Sequence, residues 1–251
     1  MEPVNPVLET LSLTKFFGMV RAAEDLSLRF QEGELVGIVG PNGSGKTTLL
    51  NVITGYVKPD RGRIRYHGQD ITGLPPRAVA DLGIARSFQM PQLYLSLTAL
   101  ENLVLALAIR AGLAREFWAP LARLDRLDEA RRILEQFGLE EHAAHDAARL
   151  PEGARKLLDV ALSFARRPRI LLMDEPTSGV SARDKSTVMD TLVPVLKGTG
   201  VTTIFVEHDM DVVQRYAERV LAFEEGRVIA AGVPDAVFAD PAVRRALLGQ
   251  P

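Results

Sequence analysis

Cysteine is absent from the 251 residues. That excludes disulfides, thiolate chemistry and zinc sites built on Cys, and it suits a reducing, cytoplasmic setting. An excess of one charge is missing too. Thirty Lys and Arg stand against 32 Asp and Glu, a formal net charge of -2, which gives no overall push toward nucleic acid. No apolar run reaches the roughly 20 residues needed to span a bilayer. The greasiest stretch, LVLALAIRAGLA from Leu103 to Ala114, is broken by Arg110 and Gly112. If the protein serves a membrane, it is expected to do so from the surface of another chain. The N-terminal MEPVNPVLET has neither a basic start nor an apolar core, so a secretory leader is not expected. Internal repeats, low-complexity tracts, heptads and a second phosphate loop are also missing.

What is present reads as a globular α/β chain, 47% hydrophobic and 25% charged, long enough for one large domain or two small ones. VLETLSLTKFF, AEDLSLRF and GRIRYHG alternate or end in turn residues, as strands do. GELVGIVG is a short apolar strand that runs through a glycine-rich loop into KTTLLNVITG, a helix. From about Pro91 to Arg166 the pattern is helical. TALE (Thr98 to Glu101) has capping-box spacing. Ile133, Leu134 and Phe137 recur at helical spacing, and Gly138 is a plausible stop. RILLMDE and VTTIFVEHD are buried parallel strands by composition, with SARDKSTVMDTLVPVLKGTG between them as a crossover helix in which Pro194 is a possible kink. RVLAFEEGRVIAAG predicts a hairpin, and a short helix is expected around PDAVFADPAVRRALLG. His142 and His145 are three apart, a spacing open to metal, but with no third ligand nearby they read as a solvated helix end.

Two motifs carry chemistry. GPNGSGKTT, from Gly40 to Thr48, matches the phosphate-loop pattern between a strand and a helix. Gly40, Asn42, Gly43, Ser44 and Gly45 would let backbone N–H groups wrap phosphates. Lys46 would reach the terminal phosphates, Thr47 would hold Mg²⁺, and Thr48 follows in the helix. LLMDE then places Asp174 and Glu175 at a strand's carboxyl end, where sites of this fold class gather. Asp174 is the candidate Mg²⁺ ligand. Glu175 is the candidate general base or water-positioning group.

With these motifs the chain resembles the ATP-binding cassette (ABC) ATPases along essentially its whole length. The resemblance implies a P-loop NTPase (RecA-like) core with an N-terminal antiparallel β subdomain and a helical insertion. The whole of 1–251 would be one cassette, with 1–90 and 165–251 as core and β subdomain and 91–164 as helical subdomain. Gln89 in RSFQ looks like the glutamine that senses Mg²⁺ and the γ-phosphate. LPEGARK holds the place of the signature motif, so Leu150, Pro151, Glu152 and Gly153 would act on a partner's ATP. Ser178 and Ser181 fall in the D-loop. His208 in VEHD looks like the histidine that contacts the γ-phosphate, and Phe17 sits where an aromatic ring stacks on adenine. The chain departs from the family pattern in three places: Ser181 replaces an aspartate, Pro151 a serine and Glu152 a glycine.

RSFQMPQLYLSLTALENLVLA and VFADPAVRRALLG resemble the branch of branched-chain amino acid importer ATPases. That branch implies ATP and Mg²⁺ as cofactors and uptake of amino acids or related small polar solutes. The implied partners are a second ABC ATPase in a hetero- or homodimer, two permease subunits and, indirectly, an external solute-binding protein, with no nucleic acid. The implied place is the cytoplasmic face of the cell membrane, peripherally. The segment Met90 to Leu97, with Leu93 and Tyr94, would receive a permease helix. An ATPase of the lipopolysaccharide-export type, or a non-transport cassette protein, stays open as an alternative.

Overall fold

The computed structural model describes residues 6–112 and 124–248. Strands β1 (Leu8–Phe17) and β2 (Val20–Phe30) form an antiparallel hairpin. β3 (Leu35–Val39) then passes through the glycine-rich loop into α1 (Lys46–Ile53). β4 (Arg61–Tyr66) returns to pair with β1, and the two-residue β5 (Gln69–Asp70) pairs with β4. After α2 (Pro76–Asp81) comes β6 (Ile84–Ser87), then three helices: α3 (Ala99–Arg110), α4 (Leu124–Gln136) and α5 (Glu152–Phe164). The rest alternates: β7 (Ile170–Asp174), α6 (Ala182–Thr199), β8 (Thr202–Val206), α7 (Met210–Tyr216), and the pair β9 (Arg219–Glu224) and β10 (Arg227–Gly232). Helices α8 (Pro234–Ala239) and α9 (Pro241–Leu248) close the described chain.

The strands make two sheets. One is antiparallel, in the order β2-β1-β4-β5; the other has the order β10-β9-β3-β8-β7-β6 and is parallel except for the β9–β10 hairpin. Every residue of β3, β7 and β8 is buried, as expected for parallel strands covered on both faces. The two-residue period of a strand divides that cover. Leu171, Met173, Phe205 and Ala222 pack with Leu103, Phe137, Leu158 and Leu192 of the helices. Leu172, Ile204, Val206 and Phe223 point the other way, to Leu8, Leu13, Phe30 and Leu49 from the antiparallel flank and α1. The five parallel strands therefore bring their carboxyl ends to one edge, where ligands of such sheets bind.

Several local expectations hold. Thr98 and Glu101 form a reciprocal capping box on α3. Glu225 and Gly226, with φ of 46° and 80°, have the positive φ pair that a two-residue hairpin turn requires. Ser181 caps α6 by accepting from the Asp184 N–H, and α6 runs unbroken past Pro194. Other details differ. The strand β6 was not anticipated; at four residues it is too short to show a period. The expected single tail helix is two, because Pro241 forces Asp240 into an extended backbone (φ -63°, ψ 124°). Pro151 stands one residue before the first turn of α5, as its N-cap residue, and Glu152 is the first helical residue.

Candidate active site

The phosphate loop is shaped by the backbones around it. Gly45 has φ 102°, and a Cβ there would lie 2.1 Å from the Ala22 carbonyl oxygen of β2, so only glycine fits. A Cβ on Gly40 would lie 2.4 Å from the Phe223 carbonyl oxygen. No side chain caps α1, which leaves its first N–H groups and the positive end of its dipole open to a ligand. Ser44 Oγ is buried without a hydrogen-bond partner among the described residues. Lys46 is 5% exposed and donates from Nζ to the Gly40 and Pro41 carbonyls at 2.8 and 2.9 Å. Burial holds its ammonium pKa below the usual lysine value, against the pull of Glu175 and Asp174. A buried cation, an unpartnered hydroxyl and an open helix N-terminus together make an anion site. Asn42, Gly43 and Thr47 are exposed at its mouth and Thr48 is half-buried.

The carboxylates sit beside this loop because β7 and β3 flank β8. Asp174 Oδ1 accepts from Thr47 Oγ1 at 3.4 Å, and Oδ2 accepts from Arg86 Nη2 at 2.7 Å. Thr47 Oγ1 and Asp174 Oδ1 are hard oxygens turned toward each other, a donor set that fits Mg²⁺. Glu175 has φ 54°, a left-handed conformation that costs energy for a residue with a side chain. Its N–H is held by the Val206 carbonyl at 2.9 Å. The Glu175 carboxylate accepts from Gln89 Nε2 at 2.7 Å and lies 2.9 Å from His208 Nε2. Glu175, Gln89 and His208, from the ends of three different strands, thus meet at one point. A carboxylate so held can orient a water and take its proton. The Gln89 amide hydrogen-bonds this carboxylate, not Thr47 or Asp174.

The remaining predicted residues have partners of their own. Phe17, at the end of β1, is 50% exposed, with the Lys15 ammonium 5.4 Å from its ring centroid; Phe16 beside it is 38% exposed. Ser178 Oγ accepts from Lys156 Nζ at 2.9 Å. Leu150 is buried and Pro151 exposed. Glu152 pairs with Arg155 at 3.6 Å, and Arg155 Nε donates to the Leu150 carbonyl at 2.9 Å. A Cβ on Gly153 would touch Val188 of α6 at 3.3 Å. The polar contacts of 150–153 therefore stay within their own turn and do not reach Lys46.

Sequence reading missed four charged residues that hold the site. Arg86, with a side chain 5% exposed, bridges Asp174 to Asn51 Oδ1 at 2.6 Å. Glu207, 3% exposed, accepts from Thr177 N and Oγ1 at 2.8 and 2.7 Å and from His208 N at 3.2 Å. Burial pushes its carboxyl pKa up, against those donors. Lys156 and Asp159, 3% and 5% exposed, lie on α5 facing the Gln89 loop. One signal was readable: charged residues inside apolar strands or on the buried side of a helix are rare unless paired.

Comparison with known proteins places this geometry. Residues 23–178 match the family described as ABC transporter. The high-affinity branched-chain amino acid transport ATP-binding protein LivG of Salmonella typhimurium is 33% identical, with 98% of each chain covered. A solved ATP-binding cassette of an ABC transporter in its ADP conformation superposes with a TM-score of 0.85 at 31% identity, covering 97% of this chain and 99% of that one. A dimeric cassette in a post-hydrolysis state, bound to ADP and Pi, has a TM-score of 0.77 at 28% identity, covering 90% and 98%.

Proposed function

The chain belongs to the ABC transporter family and is one of its ATPases, and from that premise we propose that it drives uptake of branched-chain or other amino acids or related small polar solutes. The observation that carries the chemistry is the Glu175 carboxylate, gripped by Gln89 and His208 beside the Lys46 loop. Lys46 and the N-terminus of α1 bind the phosphates. Thr47 and Asp174 would hold Mg²⁺, which when bound neutralises phosphate charge. Arg86 keeps the Asp174 carboxylate turned to Thr47. Glu175 orients the attacking water and accepts its proton, and His208 steadies that carboxylate and faces the terminal phosphate. Gln89 links the same carboxylate to the helical segment. Phe17 stacks on adenine.

The site is shared. The polar contacts of residues 150–153 stay local in this chain, which supports a second ATPase subunit whose nucleotide they face, and a solved cassette of this fold is dimeric. In the segment after Glu175, Ser178 is held by Lys156 and Ser181 caps α6. Among the described residues no helix is long and apolar enough to cross a membrane. We assign the translocation path to two permease subunits and solute capture to an external binding protein, with this chain at the cytoplasmic face. Residues 91–164 form the helical subdomain that meets the permease, and 1–90 with 165–251 the rest of the cassette. Met90, Tyr94 and Leu95, 77%, 58% and 53% exposed, are the surface offered to a permease helix. Leu93 packs against the protein's own core instead.

Import is favoured over export because LivG, matched over almost its full length, is named for branched-chain amino acid transport. The complex purified with its partner subunits and placed in vesicles should take up leucine, isoleucine or valine when supplied with ATP and binding protein. Outward transport, or no uptake of any amino acid tested, overturns the importer reading. Tyr94→Asp should abolish uptake while ATP binding persists; undiminished uptake removes this segment from the interface.

A further inference from the structure

Helix α5 grips the loop that follows β6 with two buried charges one turn apart. Lys156 Nζ donates to the Gln89 carbonyl and, at 2.9 Å, to Ser178 Oγ. Asp159 accepts from the Gln92 N–H at 2.8 Å and from the Phe88 N–H at 3.3 Å. Three backbone groups of the segment 88–92 are thus tied to one face of one helix. The two charges lie three residues apart on that helix, so each offsets the other where water is excluded. The Gln89 side chain in turn reaches Glu175 Oε2 at 2.7 Å. About one turn before Lys156, α5 begins with Glu152 and Gly153, preceded by its N-cap residue Pro151.

A lysine needed only for stability would have been replaceable by an apolar side chain, since burying an ion pair is costly and often no better than apolar packing. Its position suggests a different role. Among the described residues, Lys156 joins the backbone of Gln89 to the Ser178 hydroxyl, in segments that precede and follow the strand β7. We propose that Lys156 is a positioning residue, through which helix α5 and the segment after Glu175 together set where the Gln89 side chain meets the Glu175 carboxylate. The inference rests on the ATPase reading of Glu175 and on the reading of 150–153 as facing a second subunit's nucleotide. It adds a physical route between the two. A shift of α5 driven by the neighbouring nucleotide moves Lys156, and Lys156 carries Gln89 with it.

The role is tested by a double-mutant cycle in the complex purified with its partner subunits. Lys156→Met should lower kcat about tenfold or more, the scale set by hydrogen bonds to a charged donor, while KM for ATP stays within about threefold. In a Gln89→Ala background the same substitution should cost less than about twofold, because the side chain it positions is gone. If the losses multiply, with Lys156→Met costing as much in either background, the proposal is overturned. Should Lys156→Met fail to fold, as judged by circular dichroism, Lys156→Gln takes its place in the cycle. Glu175→Gln is measured alongside. Turnover that survives it sinks the ATPase reading itself, whereas turnover that dies there but persists in the Lys156 variant sinks only the positioning role.

Discussion

Glu175 and Glu152 are both acidic, both stand at the start of a new segment, and are held in different ways. The Glu175 carboxylate is bonded to Gln89, 86 residues away, and to His208, 33 residues away. The Glu152 carboxylate pairs with Arg155 in the next turn of its own helix. One is fixed by the tertiary structure at the edge of the parallel sheet. The other, among the described residues, has its ion pair within its own helix, and its side chain lies beside Gly179. Pro151 supplies no side-chain cap, and Glu152 lies in the first turn, at the positive end of the α5 dipole. The contrast teaches where each works. A group locked among several elements acts inside its own chain. A group with only local bonds keeps a face for something else. Pro151 and Glu152 remove the hydroxyl that this family's pattern puts there and add a charge, which Arg155 partly offsets. Our reading is that the motif works on a second ATPase subunit's nucleotide, more slowly than a regular one.

The comparison breaks most readily at Glu175. Glu175→Gln keeps the shape and removes the base, so hydrolysis should fall by about 100-fold or more while ATP still binds. Near-normal turnover in the assembled complex would strip Glu175 of its role. Next in size is Lys46→Ala, which removes the buried cation of the phosphate loop and should weaken ATP binding roughly 10- to 150-fold, the scale of a charge-assisted hydrogen bond. Unchanged affinity by titration calorimetry would refute the phosphate-loop assignment. A finer cut takes the base glutamate from each ATPase subunit in turn. Loss of Glu175 should abolish most turnover and loss of the partner's equivalent should spare more, since that second site is completed by Pro151 and Glu152. Equal losses would mean that these departures do no harm.

The smallest effect concerns pH. Burial pushes the Asp159 carboxyl up from 3.8 to about 6, against the N–H groups of Gln92 and Phe88 and the charge of Lys156. The folded chain therefore holds this proton more tightly than the unfolded chain. Its stabilisation is full below the unfolded value and is lost as pH rises through about 6. Between pH 4 and pH 7 the wild-type Tm should fall relative to that of Asp159→Asn. A difference in Tm that stays constant over that window would show that Asp159 does not titrate there.

Motifs whose parts are neighbours in sequence were legible. Gly40 to Thr48 needs only a strand before it and a helix after it, and Thr98 with Glu101 needs only one helical turn. The β9–β10 turn at Glu225 and Gly226 likewise depends on local backbone conformation. The roles of Gln89 and His208 are read from resemblance, not from their own pattern. No local rule says that they meet at Glu175, because that meeting depends on β6, β7 and β8 lying side by side.

By itself, the sequence determined the longer strands, the main helices, the phosphate loop and the paired carboxylates after β7, since each follows from residues within about one turn or one strand period of each other. Only the tertiary structure decided the pairings of buried charge. Arg86 meets Asp174 88 residues on, Lys156 meets Gln89 67 residues back, and Glu207 meets Thr177 30 residues back. A charge inside a protein must find a partner, and which one it finds is set by the order of strands in the sheet, which no local pattern encodes.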